Sequence, residues 1–157
     1  MGNRKGLRAI CAVNSLGFIG LNGGLPWRSS SDFRHFKALT QGTEGYVPKL
    51  LVGWNTYQTL PPLKGREIYI HYGREGEPSH LLNAQTHEAG GVTYNDMDWC
   101  IGGKNTYERY QRVFTQLHIS HIRDNSLGDM MFPDLRYLSR DCEIFNYYFD
   151  INEVIKL

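Results

Sequence analysis

The stretch Leu-Arg-Ala-Ile-Cys-Ala-Val at residues 7–13 decides the fold class of this chain. It is apolar at nearly every position, which predicts a strand that is buried on both faces of its sheet. Such strands are typical of α/β proteins, in which helices cover both sides of a mostly parallel sheet. Residues 14–29 follow as a glycine-rich loop and lead into a helix at about residues 29–42, where Ser29 and Asp32 resemble a capping box.

Strands continue to alternate with helices along the rest of the chain. Further strands are predicted at 48–52, 67–72, 99–101, 117–122 and 143–149, and further helices at 55–60 and from 103 to about 113. This order predicts a three-layer α/β fold with a central, mostly parallel mixed sheet of about eight strands and about four flanking helices. Because no helix separates the last strands, the C-terminal edge is predicted to be antiparallel. Residues 1–157 are expected to form a single domain.

Composition excludes several classes of partner. With 157 residues and a net charge of +1, the chain has no basic surplus that would favour nucleic acid or a membrane surface. No apolar stretch approaches the length of a membrane span. The three cysteines, Cys11, Cys100 and Cys142, show no paired spacing and predict buried free thiols. A cytoplasmic location is therefore the expectation, and the chain is separately expected to be a monomer.

A five-residue pattern, Gly-x-Asn-Thr-Tyr, occurs twice, at 53–57 and at 103–107. Each copy lies between a predicted strand and a predicted helix. A glycine there lets a ligand approach the backbone, and the following helix start presents free N–H groups that favour phosphate. A single copy is more typical of an ordinary strand–helix junction. The matched pair favours a site that holds a diphosphate from both sides.

Asp32 lies at the edge of an aromatic stripe that includes Phe33 and Phe36. An acid at this place can simply stabilise the helix N-terminus. It can also be a buried carboxylate with a raised pKa that binds a planar heterocycle and assists proton transfer. His118 and His121 have a spacing that suggests a metal pair, but residues three apart on a strand point to opposite faces, so no metal site is expected.

Five blocks of sequence, in order and over roughly residues 9–149, together resemble the dihydrofolate reductase family. They are Ile19-Gly20 with Gly24-Leu25-Pro26-Trp27, Asp32 and Phe36-Lys37; Gly53-Trp54-Asn55-Thr56-Tyr57 with Pro62-Leu63-Lys64-Gly65-Arg66; Ile101-Gly102-Gly103 with Tyr107-Glu108; Ser120-His121-Ile122; and Gly128-Asp129 with Phe132-Pro133-Asp134. The resemblance implies an NADPH-dependent reductase that converts dihydrofolate to tetrahydrofolate and binds antifolate-type molecules. Residues 14–29 would be a mobile lid that meets Gly128-Asp129.

The resemblance also implies roles for individual residues. Asp32 would bind the pterin and assist protonation, with Leu25 and Trp27 beside the reacting rings, and Ser120 would support Asp32 through a water. Arg66 would pair with the carboxylate of the substrate's glutamate tail. The remaining substrate-binding residues would be Ile10, Cys11, Phe33, Phe36, Leu60, Leu63 and Ile101. The cofactor-binding residues would be Ala12, Ile19, Gly20, Gly53, Trp54, Asn55, Thr56, Tyr72, Arg74, Gly102, Gly103, Lys104, Asn105, Thr106 and Tyr107, with a cis peptide between Gly102 and Gly103.

The chain departs from the family at Trp54, where a basic residue that binds the adenosine phosphate is usual. The indole would suit stacking on adenine, and Arg74 and Lys104 are candidates for the missing charge. Two other functions remain open. One is a related reductase acting on a pyrimidine, against which Arg66 argues because it expects a carboxylate tail. The other is a non-catalytic protein that binds folate or a dinucleotide.

Overall fold

The computed structural model describes residues 6–27, 29–72, 80–88 and 91–150, except the side chain of His80. Arg74 lies outside these residues. The strands are β1 (Leu7–Asn14), β2 (Phe18–Gly20), β3 (Lys49–Gly53), β4 (Glu67–Tyr72), β5 (His80–Asn83), β6 (Trp99–Cys100), β7 (Phe114–Ile122), β8 (Met130–Met131) and β9 (Glu143–Phe149). The helices are α1 (Ser30–Thr40), α2 (Trp54–Tyr57) and α3 (Lys104–Tyr110), with 3₁₀ turns at Tyr94–Asp96 and Gln111–Val113.

Seven strands form the main sheet in the order β5-β4-β3-β6-β1-β7-β9. Every neighbouring pair is parallel except β4 with β5. The predicted mixed and mostly parallel α/β sheet is therefore confirmed. β1 lies inside it, between β6 and β7, as its apolar sequence requires.

The prediction of an antiparallel C-terminal edge is wrong for the described strands. β9 runs parallel to β7, from the Gln116–Glu143 pair to the Ile122–Phe149 pair. Residues 123–142 carry the chain back across the molecule, and β8 pairs with β2 on the way. This long return replaces the hairpin that would have reversed the strand direction. The antiparallel strand is β5, at the opposite edge of the sheet.

β1 divides the core into two layers. Ala9 and Cys11 belong to a cluster that includes Tyr107 and Tyr110 of α3. Ile10 belongs to a second cluster, against which Phe36 and Leu39 of α1 pack. Helices thus cover both faces of the sheet, as the three-layer prediction requires. None of the helices in the described residues is long and apolar enough to cross a membrane.

Three local predictions need correction. The stretch 14–29 contains β2, a strand too short to show an alternating pattern, which pairs with β8 and was predicted as loop. The second helix ends at Tyr57 and not at residue 60, before a turn that leads to Pro61-Pro62. The third helix ends at Tyr110 and continues as a 3₁₀ turn.

The cysteines are free thiols in the structure. Cys11 and Cys100 are buried as predicted, whereas the prediction of burial is wrong for Cys142, which is partly exposed in the loop before β9. Burial raises the pKa of Cys11 to about 12, and it raises the pKa of Cys100 to about 12 as well. These two thiols therefore contribute to packing and not to nucleophilic chemistry at neutral pH.

Candidate active site

A cavity of about 1070 Å³ lies over the carboxyl ends of the parallel strands, where ligands of α/β sheets usually bind. One end of the cavity is formed by β1 and α1 and contains Asp32. The other end is formed by the residues that follow β3 and β6, at Gly53 and Gly103. The two predicted functional regions are therefore joined in one cavity.

Asp32 is held at the start of α1 by a helix cap. The Ser29 hydroxyl, at the N-cap, accepts a hydrogen bond of 3.1 Å from the Asp32 backbone N–H. This confirms the Ser29 half of the predicted capping box. The cap positions the Asp32 side chain in the cavity wall, where the residue is only 8% exposed.

Burial raises the pKa of the Asp32 carboxyl, and a hydrogen bond with the Ser120 side chain lowers it in part. Ser120 itself is 1% exposed and lies on β7. Ser120 was expected to support Asp32, and its side chain lies close enough to the carboxyl to lower the pKa of Asp32. A carboxyl in this setting can hold a proton or accept two hydrogen bonds from a ligand.

The surroundings of Asp32 are apolar and suit a flat ring. Ile10, Cys11, Phe33, Phe36, Leu60 and Ile101 all line the cavity. The Phe33 and Phe36 rings are stacked, with centroids 6.1 Å apart. Trp27 lines the same cavity and is 5% exposed, and its buried indole N–H has no hydrogen-bond partner among the described residues. A polar group of a ligand would satisfy this donor.

The two Gly-x-Asn-Thr-Tyr copies pack directly against each other at the other end of the cavity. The Gly53 N–H donates a 2.7 Å hydrogen bond to the Gly102 carbonyl. A Cβ atom on Gly53 would lie 2.6 Å from the Thr106 hydroxyl oxygen, and one on Gly103 would lie 2.8 Å from the Thr56 hydroxyl oxygen. The threonine of each copy therefore packs against the glycine of the other copy, and a side chain larger than that of glycine would clash with its hydroxyl. The Gly102–Gly103 peptide is cis, as expected.

Most of the predicted site residues meet in this cavity. Besides those named above, Ala12, Ile19, Gly20, Leu25, Trp54, Asn55, Tyr72, Lys104, Asn105 and Tyr107 line it. Gly102 supports the wall through its carbonyl and Leu63 packs on the core, but neither lines the cavity. The donor set at the glycine end, with backbone N–H groups, two threonines and Lys104, fits a diphosphate.

Arg66 does not line the cavity, contrary to the simplest expectation for a substrate-binding residue. Its guanidinium donates to the Thr40 hydroxyl at 3.0 Å, to the Lys64 carbonyl at 2.6 Å and to the Lys37 carbonyl at 2.5 Å. These bonds tie the residue to the end of α1. They use three of the five guanidinium N–H groups, so each of the two terminal nitrogens keeps one N–H group that is not used by these bonds.

Several lining residues were missed by the sequence analysis. They are Gly23, Ser29, Ser30, Thr59, Pro61, His71 and Met130, whereas Gly24 and Asp129 were named but given no ligand-binding role. His71 could have been found, because it is the strand neighbour of Gly53 in the β3–β4 pair and so reaches the same sheet end. Thr59 and Met130 could not have been found, since their position depends on loop packing.

Hydrogen bonds hold the glycine-rich loop, residues 14–29, in place on both sides of the cavity. The Asn22 backbone N–H donates to the Asp129 carboxylate at 3.0 Å, and the Asp129 N–H donates to the Gly20 carbonyl at 2.9 Å. On the other side, the Thr59 hydroxyl donates to the Gly23 carbonyl at 2.9 Å. The expected contact between residues 14–29 and Gly128-Asp129 is therefore present.

His118 and His121 point to opposite faces of β7, as predicted. His118 is buried and stacks on Phe145 at 4.5 Å, whereas His121 stacks on Tyr148 at 4.9 Å. Within the described residues no group of three or more His, Cys, Asp or Glu side chains could hold a metal ion.

The pH dependence of stability is expected to report the burial of His118. Burial lowers the pKa of its imidazole to about 4, from an ordinary value of 6.5, with Arg8 and His35 as smaller causes. The unfolded chain therefore binds more protons between these values, so stability is complete above about pH 6.5 and falls as the pH approaches 4. The His118 contribution to this loss is roughly 1–3 kcal/mol.

Urea unfolding at a series of pH values measures this effect. His118→Phe keeps a flat ring beside Phe145 but cannot take up a proton, so its free energy of unfolding should fall less on acidification. His121→Phe, on the outer face of the same strand, is the matched control. Equal acid slopes for wild type and His118→Phe would contradict the burial argument.

Comparisons with known proteins agree with this architecture. A protein-family model described as dihydrofolate reductase matches residues 6–145. Dihydrofolate reductase of Mus musculus is 30% identical over 149 residues, which cover 82% of this chain and 79% of the mouse protein. Dihydrofolate reductase type 9 of Escherichia coli is 25% identical over 136 residues, covering 78% of this chain and 73% of that protein.

The fold also resembles that of a solved structure. Dihydrofolate reductase from Enterococcus faecalis, complexed with NADP(H) and RAB-propyl, superimposes with a TM-score of 0.65 at 22% identity, over 87% of this chain and 82% of that one. The family match covers nearly the whole of the described sheet and both ends of the cavity. The chain therefore belongs to the dihydrofolate reductase family of oxidoreductases.

Proposed function

We propose that this protein is a dihydrofolate reductase, which uses NADPH to reduce dihydrofolate to tetrahydrofolate. The observation that carries the proposal is the buried Asp32 carboxyl, set among apolar rings in the same cavity as the two interlocked glycine turns. Of the acidic residues that line the cavity in the described structure, Asp32 is buried, whereas Asp129 holds the lid loop.

Each end of the cavity has a separate task in this proposal. Asp32 accepts hydrogen bonds from the pterin ring nitrogen and amino group, and its raised pKa favours a shared proton there. The unpaired Trp27 indole N–H donates to a polar atom of the same ring, directly or through water. NADPH would supply the hydride for the pterin carbon, and the adjacent ring nitrogen takes up a proton. The glycine-rich loop excludes bulk water.

The glycine end would hold the dinucleotide. Gly53 and Gly103 allow the diphosphate to approach the backbone, with Thr56 and Thr106 beside them and Lys104 as a positive charge. Ala12, Ile19 and Gly20 would contact the nicotinamide, which places it next to the pterin. A single domain over residues 1–157, acting as a cytoplasmic monomer, is part of the same proposal.

An absorbance assay tests the function directly. The near-ultraviolet absorbance of NADPH should fall when dihydrofolate is added to the purified protein, and a tight antifolate should block the change. Turnover of a pyrimidine substrate in preference to dihydrofolate would instead indicate the related reductase. Tight binding of both ligands without any turnover would indicate a non-catalytic binding protein.

Arg66→Leu is expected to raise KM for dihydrofolate about tenfold to a hundredfold while changing kcat little. The reason is that the two remaining N–H groups of the guanidinium would pair with the carboxylate of the glutamate tail, and hydrogen bonds to charged groups contribute roughly 1.5–3 kcal/mol. Steady-state kinetics with dihydrofolate, and with a dihydropterin that lacks the tail, measures the effect.

Lys64→Leu, which removes a neighbouring exposed cation, is the matched control for Arg66→Leu. The KM for the substrate without a tail should be the same in wild type and Arg66→Leu. If KM rises equally for both substrates, the loss reflects a displaced α1 and not a lost ion pair, and the proposed role of Arg66 fails.

A further inference from the structure

Trp54 is a large apolar side chain that the fold leaves open. It is the first residue of α2, directly after Gly53, and it is 45% exposed while lining the cavity. The other two tryptophans, Trp27 and Trp99, are only 5% and 2% exposed. An indole of this size normally buries most of its surface, so an open indole at a cavity rim favours a ligand that covers it.

Two tyrosines fix the orientation of this indole. The Tyr72 ring lies 5.8 Å from the Trp54 ring at an angle of 33°, and the Tyr57 ring lies 6.2 Å away at 27°. Tyr72 lines the cavity as well. We call these three rings the aromatic shelf. Because the two tyrosines restrain the indole, stacking a planar ligand on it would cost little side-chain entropy.

The repeat places a different side chain at the matching position of its second copy. Lys104 follows Gly103 as Trp54 follows Gly53, and both line the cavity. The two glycine turns pack directly on each other, since a Cβ on Gly53 would lie 3.7 Å from the Gly103 nitrogen, and the proposed diphosphate position lies beside them. One flank of that position is therefore cationic and suits phosphate, whereas the other is aromatic and suits a base.

We propose that Trp54 is the platform on which the adenine of the dinucleotide stacks, an inference that rests on the proposed cofactor. The nicotinamide half must reach the Asp32 end to meet the pterin, so the adenosine half is the part left for the aromatic shelf. Base–aromatic stacking is indifferent to the ribose 2′-phosphate. Trp54 therefore contributes equally to the affinity for NADPH and for NADH.

Calorimetric titration of Trp54→Leu with each dinucleotide tests the proposal. The variant should weaken binding of NADPH and NADH by the same factor, about tenfold to a hundredfold. Trp54→Phe should keep most of the affinity, because it retains a flat ring. Reduced nicotinamide mononucleotide lacks the adenosine, so its affinity should be the same for wild type and Trp54→Leu.

Tyr137→Leu removes an exposed aromatic ring outside the cavity and is the matched control. As a direct readout, ADP-ribose should quench the tryptophan fluorescence of wild type but not of Trp54→Phe. If the dinucleotide affinity of Trp54→Leu is unchanged, or if only the affinity for NADPH falls, the proposed stacking of adenine on Trp54 is wrong. The proposed function is not affected by either result. A wild-type protein that binds neither dinucleotide overturns the proposed function itself.

Discussion

Asp32→Asn is expected to lower kcat for dihydrofolate reduction at neutral pH by about a hundredfold to ten-thousandfold, the range typical for loss of a general acid–base group. Asparagine keeps the shape of the side chain but cannot favour a protonated substrate. Activity should recover in part at low pH, where the substrate takes up its proton from solvent. Measurement of kcat and KM across the pH range, with NADPH saturating, tests this expectation.

The same substitution is expected to stabilise the fold. Burial raises the pKa of Asp32, so the ionised carboxylate is the less favourable form in the folded state. Its contribution to stability is complete below the unfolded pKa of 3.8 and is lost as the pH rises through the folded pKa. At neutral pH the asparagine variant lacks this penalty, so its Tm should exceed that of wild type, and the difference should shrink on acidification.

Asp141→Asn, which changes an exposed loop acid outside the cavity, is the matched control for charge alone. It should alter neither the pH profile nor the Tm appreciably. If Asp32→Asn shows the same pH profile as wild type, Asp32 takes no part in proton transfer, even if the protein reduces dihydrofolate. A lower Tm at neutral pH would contradict the account of its burial.

Gly53→Ala is expected to weaken NADPH binding by about tenfold or more and to lower the free energy of unfolding by roughly 1–3 kcal/mol, the usual cost of overpacking. The backbone at Gly53, with φ −78° and ψ 159°, is one that alanine adopts readily. The cost therefore comes from contact alone, because the new Cβ would lie 2.6 Å from the Thr106 hydroxyl oxygen. Calorimetry and urea unfolding measure the two effects.

A double-mutant cycle with Thr106→Ala separates this clash from other causes. The second substitution removes the hydroxyl that the new Cβ meets, so the double variant should be more stable than the sum of the single effects predicts. Gly24→Ala is the matched control for stability, because its Cβ would lie 3.8 Å from the nearest Thr59 atoms, an ordinary contact. Additive losses in the cycle would show that the two turns do not close on each other.

Local patterns in the sequence were sufficient to predict the fold class. The continuous apolar run of β1 requires burial on both faces, and the structure places a cluster on each side of it. The Ser29 cap and the opposite directions of His118 and His121 were also predicted from local patterns, whereas the cis Gly102–Gly103 peptide was implied by the family resemblance. These features depend on neighbouring residues or on motifs of a few residues.

Other features were decided only by contacts between distant segments. The direction of β9 depends on how residues 123–142 cross the molecule, and a short apolar strand carries no signal of direction. The bonds that hold Arg66 against the end of α1 join residues far apart in the chain. The hydrogen bond between Asn22 and Asp129 also joins distant loops, and the contact between these loops was expected only from the family resemblance.

The sequence alone determined that this chain has a doubly covered parallel sheet, two glycine turns after strands, and an acid at the start of a helix. Only the tertiary structure decided that the acid faces the cavity, that each threonine of the repeat meets the other copy's glycine, and that the Trp54 ring remains uncovered. The physical reason is that burial, steric closure and pKa depend on what packs against a group, and those partners lie tens of residues away.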